Sequence, residues 1–169
     1  MMVAPKLNVR RARADDAQAL AELQQGIYAE ARWFVGDGAP ATGMLKRLLE
    51  RIEPHKSLYL VAETKGRELC AWLELHRLQP RRMAHVAVLT IAVKKQMRRQ
   101  GIARHLLDES YRWARRRGIE KITLSVREGN TAAIKLYERE GFTLEGREVR
   151  QIRAAKGYED NLLMAKFIS

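Results

Sequence analysis

A single cysteine, Cys70, stands in the 169 residues, so no internal disulfide can staple the fold, and a reducing compartment is implied. It sits in LCAWLEL, a strand-like run, where a buried structural thiol is expected rather than a nucleophile. No apolar run approaches the roughly 18 residues a membrane span requires, and MMVAPKLNVRRARADD lacks the apolar core of a signal peptide. The expected setting is therefore the cytoplasm, with no membrane partner. The four histidines, His55, His76, His85 and His105, fall in no ligand spacing with carboxylates or with the cysteine, and no metal site is inferred. Acidic residues are also scarce: 20 against 32 basic ones give a net charge of +12. Some polyanion must then be weighed as a partner. The aromatics, three Trp, five Tyr and three Phe, are not interleaved with the basic residues as a base-stacking platform, which counts against nucleic acid.

With 46% apolar and 31% charged residues, the composition is that of a globular chain, and 169 residues suit a single domain spanning 1–169. The positive charge is uneven. Between Lys94 and Lys121 there are ten Lys or Arg and only three acids, Asp108, Glu109 and Glu120. A phosphorylated cofactor and a nucleic acid would both suit such a patch. So would a solvated helix face, with Asp108 and Glu109 pairing to Arg112 and Arg116 at helical spacing.

Hydrophobic periodicity predicts the elements in turn. Leu7 to Ala12 reads as a strand, and Asp15 and Asp16 suit the helix start that follows it. Ala17, Leu20, Ala21, Gln24, Ile27, Tyr28 and Ala31 then trace the buried face of a first helix. After the turn-rich GDGAPATG (36–43), a second helix carries Met44, Leu45, Leu48, Leu49 and Ile52. Strands follow at Leu58–Glu63 and Glu68–Leu78, joined by TKGR, and then at Val86–Val93. A third helix runs to about Arg117, where Gly118 can take the left-handed conformation that closes it. Lys121–Val126 is another strand, and Thr131 to about Glu140 a short helix capped by Asn130. Two last strands, Thr143–Ile152 and Asn161–Phe167, flank AAKGYED. The order predicts an α/β (α+β) mixed sheet with helices on its faces.

The chain is organised around His85 to Ala114. An apolar β-branched run leads into RRQGIA (98–103), where Gly101 and Ala103 leave the backbone bare as a helix begins. The first N–H groups of a helix lack internal partners and carry its positive dipole end, so a phosphate can satisfy both. Arg98, Arg99 and Arg104 add side-chain charge beside them. A basic loop feeding an ordinary amphipathic helix is the competing account.

RRQGIA also matches the R/Q-x-x-G-x-G/A signature of the GNAT superfamily of acyl-CoA N-acyltransferases, at the required strand-to-helix turn. NTAAIKLYEREGF (130–142) resembles that superfamily's second cofactor segment, VRRARADDAQALAEL its first strand and helix, and DNLLMAKF its last strand. The resemblance covers essentially the whole chain. It implies a central, mostly antiparallel sheet of about seven strands flanked by about four helices. It implies acetyl-CoA as co-substrate, with its pyrophosphate at the turn from Arg98 and Arg99 through Gln100, Gly101, Ile102 and Ala103 to Arg104. Ile91, Ala92 and Val93 would offer strand-edge groups to the pantetheine arm, provided the strand splays from its neighbour, commonly through a bulge. Asn130 would bond the pantetheine, unless it serves only as a helix cap.

By the same resemblance Tyr137 is the general acid. A departing thiol has a reference pKa of about 8.5 and a phenol about 10, so Tyr can donate a proton to sulfur without being ionised at neutral pH. Its competing role is packing with Ile134 and Leu136. Relatives often carry a basic carboxylate on the central strand, but here Thr90 stands in that region. Glu74, His85 and Glu30 are the candidate bases or substrate contacts, with a water-mediated base as the alternative. For the acceptor, Glu30 and Asp37 suit an amine, whereas Arg32, Arg147, Arg150 and Arg153 suit a carboxylate. Together they fit a small primary amine such as an amino acid, or a peptide end. A protein N-terminus or lysine is the alternative acceptor, a non-catalytic nucleic-acid-binding module the alternative class, and a homodimer through the last strands the expected assembly.

Overall fold

The structure, a computed structural model, describes residues 7–30 and 32–168. Its strands are β1 (Asn8–Arg11), β2 (Ser57–Glu63), β3 (Leu69–Arg77), β4 (Val86–Val93), β5 (Lys121–Arg127), β6 (Thr143–Arg153) and β7 (Tyr158–Phe167). Its helices are α1 (Ala17–Tyr28), α2 (Thr42–Glu50), α3 (Ile102–Arg116) and α4 (Thr131–Arg139). The expected order and the mixed α/β class hold. Ala31, expected on the face of the first helix, lies outside the described residues. The last strand starts at Tyr158 rather than Asn161, because Ala154 N–H closes a tight turn on Gly157 O at 3.0 Å and the ladder resumes at Arg153 opposite Tyr158.

One seven-stranded sheet runs β1-β2-β3-β4-β5-β7-β6. Among the described strands only β4 and β5 pair in parallel. Helices cover both faces of its first half, which is why β2 and β3 are apolar almost throughout. On one face Tyr59, Val61 and Trp72 pack against Leu20, Leu23 and Ile27 of α1 and Leu45 and Leu49 of α2. On the other, Leu58, Leu60, Leu73, Leu75 and Leu89 meet Ile102, Leu106, Leu107 and Tyr111 of α3 and Tyr137 of α4. Cys70 is sealed in the sheet, its Sγ 3.3 Å from Ala62 O. Among the described residues no helix is long and apolar enough to cross a membrane.

The sheet opens in its middle. β4 pairs with β5 only from Val86 to Val88, against Lys121 to Thr123, although β4 continues to Val93 and β5 to Arg127. On its other side β4 stays paired with β3 from Ala87 to Val93, with no register shift. The expected splay is therefore present without a bulge between β3 and β4: two strands that begin parallel diverge.

Candidate active site

The ladder dictates which groups the divergence exposes. Leu78 N–H donates to Val86 O at 2.9 Å and Lys94 N–H to Cys70 O at 2.8 Å. In an antiparallel pair the bonded positions alternate, so Val88, Thr90 and Ala92 turn their backbone groups to β3 while Leu89, Ile91 and Val93 turn theirs to the β5 side. Ile91 and Val93 thus face the gap, and Ala92 faces β3 opposite Trp72. Val93 O accepts from Arg98 Nε at 2.9 Å, so the open row consists of Ile91 N–H, Ile91 C=O and Val93 N–H.

At the wide end of the gap both strands run into helix N-termini. Beyond β4 the chain turns through Arg99 at φ +62° and Gly101 at φ +79°, and α3 starts with no side-chain cap. Gly101, in the left-handed region, directly precedes the right-handed first turn of α3, a step that turns successive N–H groups toward one side. No atom comes within 4 Å of the position a Gly101 Cβ would take, so the turn is open there and its positive φ is what favours glycine. Arg99, Gly101 and Arg104 are exposed, Gln100 and Ala103 half-exposed, and Ile102 is buried in the core. Beyond β5, Asn130 caps α4, its Oδ1 accepting from Ala133 N–H at 3.2 Å. The capping role is therefore real, and the Nδ2 donors stay available.

Arg98 is differently placed from Arg99. Its two Nη atoms grip Glu30 at 2.9 and 2.7 Å, while its Nε holds Val93 O. The pair neutralises both charges and ties the end of α1 to the turn. Across the gap, Arg127 Nη1 donates to Arg32 O at 2.6 Å and its Nε pairs with Glu159 at 2.7 Å. Arg147, also expected at the acceptor, is held by Glu128 and Asp160 at 2.7 and 2.9 Å.

Tyr137 lies on the α3 and α4 face of the sheet, 7% exposed and tilted against Phe142 with ring centroids 5.6 Å apart. Its hydroxyl has no hydrogen-bond partner among the described residues. Trp72 Nε1 is the one fully sealed side-chain polar atom without a partner there, so the Tyr137 hydroxyl keeps a small exposure. Burial pushes the phenol up to about 12.

Glu74 lies on the opposite face. It stands across from Tyr59 on β2 and Thr90 on β4, a row leading straight to the gap. Gln24 Nε2 donates to the Tyr59 hydroxyl at 2.6 Å, and Glu74 Oε2 lies 3.0 Å from His76 Nε2. Burial foremost, then the Glu74 charge, holds the Tyr59 and Tyr28 phenols above their ordinary range. Tyr28, Phe34 and Trp72 stack beside this row at 5.0 and 5.8 Å. His85 is exposed at the start of β4, eight extended residues or about 26 Å from Val93, and is not brought to the gap. Tyr59, Gln24, His76 and Arg127 were missed by sequence reasoning. The signal that could have found His76 is the alternation of Trp72, Glu74 and His76 on one strand face.

Comparisons with known proteins agree with this geometry. The model of the Acetyltransferase (GNAT) family matches residues 19–142. The N-acetyltransferase YhfO of Bacillus subtilis (strain 168) is 28% identical over 138 residues, 80% of this chain and 89% of that protein. The ribosomal protein bS18-alanine N-acetyltransferase of Salmonella typhimurium is 37% identical over 82 residues, 48% of this chain and 55% of that one. In three dimensions an acetyltransferase of the GNAT family from Streptococcus pneumoniae superposes with a TM-score of 0.89 at 27% identity, covering 97% of this chain and 100% of that one. The phosphinothricin acetyltransferase of Sinorhizobium meliloti, solved in complex with acetyl-CoA, shares the fold with a TM-score of 0.86 at 16% identity, over 96% of this chain and 89% of that one. With the parted strands, the uncapped turn and the family match in agreement, this chain belongs to the GNAT family of acetyltransferases.

Proposed function

We propose that this acetyltransferase moves an acetyl group from acetyl-CoA to the primary amine of a small molecule, such as an amino acid, by direct attack in a ternary complex. One observation carries the reading: the parted strands β4 and β5 are where the two faces of the sheet communicate, with Tyr137 on one face and Glu74 on the other. Acetyl-CoA supplies the acetyl group as a thioester. The residues fit it: the N–H groups of the uncapped turn from Arg99 to Arg104 suit its pyrophosphate, and the free Ile91 and Val93 groups suit its pantetheine. Asn130 Nδ2 adds a donor at the same end. Arg98 holds the turn in place through Glu30 and Val93.

Within that frame Glu74 is the base. Its carboxylate takes a proton from the incoming ammonium, so an N–H bond breaks and an O–H bond forms, freeing the lone pair for attack. As the C–S bond breaks, Tyr137 gives its phenolic proton to the departing sulfur from the opposite face, and the second proton that nitrogen sheds once the C–N bond has formed restores the phenol through solvent. At about 12 the phenol is fully protonated at neutral pH. No acyl-enzyme enters, because the Cys70 thiol is sealed and pushed up by burial.

A second acceptor, a protein N-terminus, is favoured by the relative that acetylates the bS18 alanine. Calorimetry with acetyl-CoA, followed by turnover of amino acids and of short peptides beginning with Ala, tests and ranks the readings. Binding in the micromolar range is expected, with turnover that falls about a hundredfold in Glu74→Gln. No acetyl-CoA binding, or full activity in that variant, overturns the corresponding step.

A further inference from the structure

Behind Glu74, on the side away from the gap, the same sheet face continues into a cleft of about 430 Å³ between the end of α2 and β2, lined by Ser57 and His76. Ser57 and His76 are directly opposite on β2 and β3, with Ser57 Oγ 3.0 Å from His76 Nδ1. The other ring nitrogen, Nε2, is the one 3.0 Å from Glu74 Oε2. A hydroxyl, an imidazole and a carboxylate thus form one chain from solvent to the row that ends at the gap.

We infer that Ser57 and His76 are positioning residues for Glu74. The argument rests on the reading of Glu74 as base and adds two residues to it. A carboxylate can only accept, so the ring nitrogen facing Glu74 must carry the proton, and Nδ1 is left to accept from the Ser57 hydroxyl. Ser57 thereby fixes the tautomer, and the ring fixes the carboxylate by holding Oε2, leaving Oε1 for the acceptor amine. The order Ser, His, Glu invites comparison with a nucleophile triad, but the backbone does not support one. Lys56 N–H and Ser57 N–H both donate to Glu53 O, at 2.9 and 3.0 Å, which leaves no N–H pair there for an oxyanion.

The test combines ring ¹⁵N resonances of His76 in the full chain with acetyl-CoA and steady-state rates on the amino-acid and peptide panel. The expected resonances are those of the Nε2–H tautomer. An Nδ1–H tautomer overturns the inference even if no acceptor is turned over. His76→Leu is expected to lower kcat about tenfold with acetyl-CoA affinity unchanged. His76→Gln, which keeps a donor for Oε2, should restore most of the rate. If Glu74→Gln is inactive while His76→Leu behaves as wild type, the positioning role falls and the base stands. If Glu74→Gln is fully active, both fall.

Discussion

Tyr137 is the residue whose chemistry is most tightly set by its surroundings. Its ring is buried beside Phe142 while its hydroxyl has no protein partner, so the fold excludes the phenolate without using up the proton. Raised to about 12, the group stays protonated across the accessible alkaline range, and any fall in rate between pH 8 and pH 10 must come from elsewhere. Tyr137→Phe keeps the packing and removes only the proton. The expected outcome is a kcat lower by about a hundredfold with acetyl-CoA affinity unchanged in calorimetry. A variant that weakens acetyl-CoA binding as much as it slows turnover would instead assign Tyr137 to cofactor binding.

Among the elements, the edge of the sheet is held by charge as much as by pairing. Arg10 on β1 bonds Asp16 through both Nη atoms at 2.8 Å and Glu63 on β2 at 2.8 Å, and Asp16 also accepts from Arg13 N–H at 2.7 Å. The Arg10 guanidinium holds both carboxyls below their ordinary 3.8 and 4.5. A depressed carboxyl contributes stability above its unfolded value and loses it as pH falls through the folded one. Thermal midpoints should therefore drop more steeply below about pH 4.5 in the wild type than in Asp16→Asn. That variant should cost about 1 kcal/mol near pH 7, allowing for solvent screening, and the gap between the two curves should close as pH falls through the folded Asp16 value, which lies below 3.8. Parallel curves would mean that the triad contributes nothing to folding. The elements themselves were legible in the sequence because each obeys one period, and the open turn before α3 was legible because a glycine stands between a buried strand and an amphipathic helix. Register was not. Counting back from the TKGR turn pairs Glu63 with Glu68 and hence Ser57 with Glu74. Instead Glu63 pairs with Leu69, and the further shift between Ala62 and Glu63 brings Ser57 opposite His76, and with it the residues proposed to stand behind Glu74. The Glu30 partner of Arg98 lies 68 residues away and leaves no local trace.

Taken as a whole molecule, the chain carries +12, and the segment from Lys94 to Lys121 looked from sequence like a surface for any polyanion. Folding spends much of that charge. Lys94 meets Glu68, Arg98 meets Glu30, Arg112 meets Glu109 and Lys121 meets Glu145, while Arg104 lies 4.0 Å from Glu140. Lys95, Arg99, Arg104 and Arg116 stay exposed, and of these Arg99 and Arg104 flank the uncapped turn at the mouth of the gap. A long-range field with one focused seat predicts a particular salt dependence. Acetyl-CoA affinity should weaken roughly tenfold as the screening length falls from about 30 Å at 0.01 M salt to about 8 Å at 0.15 M, and then level off because the backbone N–H contacts remain. Duplex DNA, held by scattered charge alone, should bind no better than about 10⁻⁶ M at physiological salt and lose affinity with no plateau. Titrating both ligands across that range separates a built seat from a basic surface. If DNA proves the tighter and acetyl-CoA the one without a plateau, the positive charge serves a polyanion, and the turn at Gly101 is only the start of a helix.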